Sequence, residues 1–294
     1  MTFRCLYEMS AKQIDSFDWP VMCLCIELII FCEYCMGSFM KKIDLNSDMG
    51  ESFGAYTLGM DEVVIQHITS ANIACGWHAG DPLVMDRTVK MAVDHGVGVG
   101  AHPGYPDLLG FGRRNMDCTL KEIQKYLIYQ IGALQAFCKV NGTKLQHVKP
   151  HGALYLMAVE NEEIARAVAE AIVSVNPELL YVALAGAKGE FMRRIGQKVG
   201  LKVVYEAFAD RAYTPEGALV SRRQPGAIIK DPGEVSERAL QMAKDGIVIA
   251  TDGTSIPLEV QTLCVHGDNP SAVDLVKNIR ETMESNGVVV SPMG

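Results

Sequence analysis

The sequence predicts an α/β fold closed into a barrel, and three observations carry that expectation. Strand-like and helix-like runs alternate from Lys41 onward through about seven βα units, the pattern of a parallel sheet. The first run, Lys42–Met49, sets Asp44, Asn46 and Asp48 at every second position, with Ile43 and Leu45 between them. Side chains alternate across a strand, so one face is polar and the other apolar; a barrel with a functional interior suits that better than a solvated sheet. Third, no G-x-G-x-x-G follows this strand and no G-x-x-x-x-G-K-[ST] occurs in the chain, which leaves a Rossmann or P-loop sheet unsupported.

The elements follow in order. Met60–Thr69 has apolar residues at helical spacing, and Ala71–Cys75 reads as a strand. Asp81-Pro82 is a helix start, with Asp as N-cap and Pro in the first turn, and Gly96 closes that helix. Val97–Ala101 is a strand. Thr119-Leu-Lys-Glu122 is a capping box that opens a long helix ending at Gly142. Strands over Gln146–Lys149, Tyr181–Leu184 and Leu201–Glu206 alternate with helices over Glu162–Val173 and Glu190–Val199. A helix over Glu234–Lys244 precedes Ile247–Ala250 and Ile256–Val260, which flank an Asp252-Gly253 hairpin turn. Thr262–Val265 is the last barrel strand, and Asn269-Pro270 caps a final helix to about Glu284.

Size and charge narrow the function. The 294 residues are 49% hydrophobic, enough for a full core, and residues 40–294 make one barrel domain. The net charge of −8 argues against nucleic acid or an anionic membrane as partner. Five of the nine cysteines crowd residues 1–39 and four are scattered singly, so a reducing, cytoplasmic setting is expected rather than a disulfide framework. Residues 1–39 do not resemble the rest. Trp19–Cys32 is apolar but broken by Glu27 and short for a membrane span, and it lacks the basic start and cleavage site of a secretory signal. Cys23-x-Cys25 with Cys32-x-x-Cys35 is too tightly spaced for a zinc module. The segment reads as an appended extension outside the fold.

Chemistry-bearing residues gather at the ends of the expected strands. Glu51 follows the first, His78 the second and His102 the third. His147, Lys149 and His151 share one face of the fourth, Glu206, Asp210 and Arg211 end the sixth, and His266 and Asp268 follow the last. One histidine beside glycine or proline would be unremarkable; four at one rim point to a pocket. Such carboxylates and imidazoles serve a divalent metal or proton transfer, whereas Lys149, Arg113 and Arg211 suit a carboxylate or phosphate. No H-E-x-x-H spacing occurs, so a metal site would have to be assembled from separate strands. Phe111-Gly-Arg-Arg114 lies in a long loop suited to a lid or anion anchor. Trp77 either lines the pocket or packs, and His67 and His95 fall in helices without an assigned role.

Five blocks resemble the LamB/YcsF family: Lys42–Gly54, Ser70–Asp81, Gly100–Asp107, Val148–Tyr155 and Cys264–Asp268, in that order. The chain departs from the family pattern in its N-terminal extension and in Ser47, where Cys is expected. The resemblance implies a seven-stranded TIM-like barrel of the glycoside hydrolase/deacetylase type. It implies the A subunit of an ATP-dependent 5-oxoprolinase, opening 5-oxo-L-proline to L-glutamate with B and C partner subunits. ATP would be co-substrate, bound mainly by the partners, and a divalent metal is left open. The candidate catalytic residues are Asp48, Glu51, His78, His102, Lys149, His151 and His266, with His151 and Asp48 as a pair that positions water. Asn46, Asn72, Arg113, Glu206, Asp210, Arg211 and Asp268 are candidate substrate-binding residues. Asp48, His78, His102 and His151 are the candidate metal ligands. Two rival classes stand beside this one: a stand-alone metal-dependent amide or ester hydrolase, and a non-catalytic substrate-binding subunit.

Overall fold

A computed structural model describes residues 41–265 and 270–294; the expectations for residues 1–39, His266 and Asp268 fall outside them. The strands are β1 (Lys42–Met49), β2 (Ser70–Ala74), β3 (Gly98–His102), β4 (Leu145–Val148), β5 (Leu180–Leu184), β6 (Val203–Phe208), β7 (Ile247–Ile249), β8 (Ser255–Pro257), β9 (Thr262–Cys264) and β10 (Val289–Val290). The helices are α1 (Asp61–Val64), α2 (Pro82–Asp94), α3 (Leu120–Val140), α4 (Gly152–Glu160), α5 (Glu162–Val175), α6 (Ala187–Val199), α7 (Pro232–Lys244) and α8 (Pro270–Ser285). β1 to β6 pair in chain order, all parallel, and β9 joins β6 to β1, closing a seven-stranded barrel. β10 lies parallel on the start of β1, and β7 and β8 form the expected antiparallel hairpin in a sheet of their own.

Local sequence explains most element ends. Asp81 caps α2 by accepting from the Leu83 and Val84 amides at 2.8 and 3.0 Å, with Pro82 in the first turn. Its second oxygen takes the Gly54 amide at 2.8 Å, tying down the loop after β1. Thr119 and Glu122 form the expected capping box on α3. Two expectations change. The helical run from Met60 shrinks to the single turn of α1. α4 was not anticipated, because Gly-Ala-Leu-Tyr-Leu-Met-Ala-Val is apolar on all sides and carries no amphipathic period.

The barrel has two kinds of interior. Apolar residues on the outer strand faces, among them Ile43, Leu45, Ile73, Val99 and Val148, join buried helix residues such as Leu127, Ile131 and Ile172 in one core. The inner faces carry Asp44, Asn46, Ser70, Asn72, His147, Glu206 and Thr262 instead, all buried. Such a polar core is tolerable only when its groups hydrogen-bond to one another. Gly100 on β3 makes the room: a Cβ there would overlap the His147 ring. Trp77 packs edge-on to Tyr126 and stacks on Tyr129 of α3, with ring centroids 4.9 and 5.4 Å away, so its role is packing.

Candidate active site

The inner side chains form a hydrogen-bonded column rising to the C-terminal mouth of the barrel. At its base Asp44 accepts from Thr69, Ser70 and Thr262 hydroxyls at 2.7, 2.6 and 2.5 Å. Above it Asn46 donates to Thr262 at 2.6 Å and accepts from Asn72 at 2.7 Å. His147 Nε2 donates to Asn72 Oδ1 at 2.7 Å; burial, then the charge of Lys149, lowers its pKa to about 3, so this imidazole is neutral. Asn72 also donates to Asp48 Oδ1 at 2.8 Å.

Lys149 is the cation of the column. Its Nζ lies 3.0 Å from Asp48 Oδ1, 2.7 Å from Glu206 Oε1, 3.2 Å from Asn46 Oδ1 and 3.1 Å from Cys264 Sγ. Burial alone would lower its pKa, but the acidic groups of Asp48, Cys264 and Glu206 outweigh it and hold the ammonium charged. Tyr155 donates to the other Glu206 oxygen at 3.0 Å. One ammonium between two carboxylates leaves the group negative. Lys149, expected as an anchor for an anionic substrate, is engaged by Asp48 and Glu206 and holds Asp48 in place.

Four strand ends deliver the upper layer. Asp48 ends β1 with its side chain 17% exposed, and Glu51 follows at 14%. Beneath them His78, His102 and His151 are fully buried, from the loop after β2, the end of β3 and the N-cap of α4. His102 Nε2 is 3.3 Å from Asp48 Oδ2, so the imidazole that faces Asp48 is that of His102, where the expected pair was His151 with Asp48. His151 Nδ1 lies 2.9 Å from His102 Nε2 and 3.8 Å from Glu51 Oε1. The His78 ring stacks on His151 at 3.7 Å, and its Nε2 is 3.4 Å from Glu51 Oε1. Burial and the neighbouring imidazoles push the pKa of both His78 and His151 well below the usual histidine range. Ligand atoms of Glu51, His78, His102 and His151 all lie within 4.8 Å of one another, an arrangement able to hold a metal ion, in which Glu51 takes the place expected for Asp48.

The Phe111 loop covers this layer. Phe111 is a non-glycine residue at φ +54°, and its carbonyl accepts from His151 Nε2 at 2.8 Å. Its ring meets His78 and His151 edge-on, with centroids 5.6 and 5.2 Å away. Strain of this kind survives where the surroundings fix the conformation, as at binding sites. Arg113, exposed at the mouth, places its guanidinium 4.9 Å from the centre of the Phe111 ring. Arg114 is paired with Asp107.

The remaining candidates divide clearly. Asn46, Asn72 and Glu206 make their hydrogen bonds inside the column, as supports for Asp48 and Lys149 more than as substrate contacts. Arg211 is buried and donates to the Ala227 and Val220 carbonyls, where it braces the loop beyond β6; Asp210 beside it is also buried. Tyr155, Thr262 and Cys264 carry no role in the sequence reading, which places Phe111 only within the lid loop and His147 only on the inner face of the fourth strand. Parity could have found Thr262 and Cys264, which face inward two residues apart; the backbone of Phe111 leaves no such trace.

Comparison with known proteins gives the chain's family and fold relatives. The family model described as LamB/YcsF matches residues 43–294. A protein from Pyrococcus abyssi, named as the A subunit of 5-oxoprolinase, is 56% identical over 252 residues, covering 86% of this chain and 98% of that protein. A protein of the same name from Natranaerobius thermophilus is 57% identical over 255 residues, covering 87% and 98%. The crystal structure of a lactam utilization protein from Thermus thermophilus superposes with a TM-score of 0.80 at 46% identity, covering 85% of this chain and 99% of that one. A solved barrel from Enterococcus faecalis, at TM-score 0.51 and 14% identity, shares the fold alone. With one family model running from the first strand to the last residue, the chain belongs to the LamB/YcsF family.

Proposed function

We propose that the chain is the A subunit of an ATP-consuming 5-oxoprolinase, which opens 5-oxo-L-proline to L-glutamate together with B and C subunits. The observation that carries this reading is Asp48, a partly open carboxylate at the mouth, with one oxygen fixed by Lys149 and Asn72 and the other facing His102. Relatives named for this activity, matched over 98% of their length, supply the substrate class.

A lactam is an unreactive amide. ATP would transfer a phosphoryl group to its carbonyl oxygen, leaving ADP, and make the carbonyl carbon open to water. Asp48, backed by His102, accepts a proton from that water as its oxygen bonds to carbon. The ring C–N bond breaks and nitrogen takes up a proton to become the amine, leaving an acyl phosphate; a second water then cleaves it to the carboxylate and free phosphate. Arg113, beside the Phe111 ring, is the cation suited to the substrate carboxylate. ATP is bound mainly by the partners, since this sequence has no phosphate loop.

The test is glutamate release from 5-oxoproline and ATP, run on the chain alone and with B and C subunits. Activity is expected only in the assembled complex, with Asp48→Asn and His102→Gln each lowering kcat by about 10²- to 10⁴-fold. A complex that stays fully active with both substitutions would reduce the role of this protein to binding.

A further inference from the structure

His102 and His151 meet in a contact that neutral rings cannot make. His102 Nδ1 is 2.6 Å from the Lys149 carbonyl oxygen, so that nitrogen carries hydrogen and donates. His151 Nε2 donates to the Phe111 carbonyl at 2.8 Å by the same logic. The two remaining nitrogens, His102 Nε2 and His151 Nδ1, then present lone pairs to each other at 2.9 Å. Two lone pairs that close repel unless a positive centre lies with them.

We infer that this centre is one divalent transition-metal ion, held by His102 Nε2, His151 Nδ1 and Glu51 Oε1, with His78 Nε2 completing the set. A proton shared by those two nitrogens, with Asp48 Oδ2 3.3 Å from His102 Nε2, is the alternative that the titration below separates from a metal. Glu51 Oε1 stands 3.8 Å from His151 Nδ1 and 3.4 Å from His78 Nε2, close enough to add a carboxylate to the same centre. Zinc binds imidazole nitrogen at about 2.0–2.1 Å, so the ligand atoms of a tetrahedral site lie roughly 3.4 Å apart. The spacings of 2.9, 3.4 and 3.8 Å straddle that value. Imidazoles with a carboxylate suit zinc or a neighbouring first-row ion better than magnesium or calcium, which prefer oxygen.

The outer contacts agree. A metal-bound histidine commonly donates its other N–H to a backbone carbonyl or carboxylate, which fixes the ring and its tautomer. Lys149 and Phe111 supply those two carbonyls, the second from a residue at positive φ. His78 lies parallel to His151, within 3° in plane, so its lone pair runs alongside and it joins by tilting its ring. It is therefore the weakest ligand. This site goes beyond the oxoprolinase reading and does not rest on it.

The full-length chain, stripped with a chelator and desalted, would be titrated with Zn²⁺ and with Co²⁺ alone, without ATP, lactam or partner subunits. One ion per chain is expected by elemental analysis, with a rise in Tm and a Co²⁺ visible spectrum of low coordination number. The H102Q/H151Q double variant should bind about 100-fold or more weakly, since altering even the groups behind metal ligands costs about 10- to 100-fold. E51Q, a milder change near the surface, should weaken binding about tenfold and covers the case in which the double variant does not fold; His78→Gln should cost less than either histidine of the pair. A folded chain that takes up no ion, or one whose affinity is unchanged in E51Q and in the folded double variant, overturns the proposal. The two nitrogens would then share a proton.

Discussion

Lys149 shows how one side chain sets the character of this site. Its ammonium is buried between Asp48 and Glu206, at 3.0 and 2.7 Å, and removing one partner of such a group leaves uncompensated charge. Lys149→Met should therefore destabilise the protein by about 3–5 kcal/mol, the usual cost of breaking a buried ion pair. Glu206 is the fully buried carboxylate, whereas Asp48 keeps some contact with water. Adding Glu206→Gln to the Lys149→Met chain should then recover part of the loss, with a coupling of about 1–3 kcal/mol. Urea unfolding of the two single variants and the double variant measures this directly. Strict additivity would mean that Lys149 and Glu206 do not act as a pair.

At the level of elements, the site depends on how the loop after β3 meets the start of α4. The Ala153 amide donates to the Gly112 carbonyl at 2.9 Å, and the His151 amide to the Pro103 carbonyl at 2.8 Å, so loop and helix are fixed to each other. Gly112 adopts φ +63°, and a Cβ there would lie 2.8 Å from both His151 Cδ2 and His78 Cβ. Gly112→Ala should displace both imidazoles while the barrel stays folded. The expected result is a fall of up to ~100-fold in the activity of the assembled complex, since a shift near 1 Å can cost that much. Far-ultraviolet circular dichroism should be unchanged; full activity would mean that the imidazole positions do not matter. Elements marked by local chemistry were legible in advance: the Asp81-Pro82 and Thr119–Glu122 starts stand where the sequence put them. α4 was not, because a helix without a polar face has no period to read. The same limit applies to the site. Alternation placed Asp48, His102 and Lys149 on the inner face, but the meeting of Glu51 with His78 depends on loop paths that no spacing encodes.

Across the whole molecule, closure of the barrel rests on a seam at its base as well as on strand pairing. Asp44 of β1 takes hydroxyl donors from Thr69 and Ser70 at β2 and from Thr262 of β9, so one carboxyl joins the strands on both sides of the seam. Burial raises its pKa above 3.8 in spite of the lowering by Ser70, Thr262 and Thr69. The folded state therefore keeps this proton to higher pH than the unfolded chain does. Between 3.8 and the raised value the unfolded state binds fewer protons, so stability falls as pH rises through that window. Asp44→Asn cannot ionise and should lack this slope. It also replaces an acceptor of three hydroxyls with one carbonyl and an amide, at a cost of about 1–3 kcal/mol. The wild-type advantage over Asp44→Asn should thus be largest in acid and shrink as pH rises. Paired urea titrations from pH 4 upward read it, and parallel pH profiles for the two proteins would show that Asp44 stays ionised in the fold.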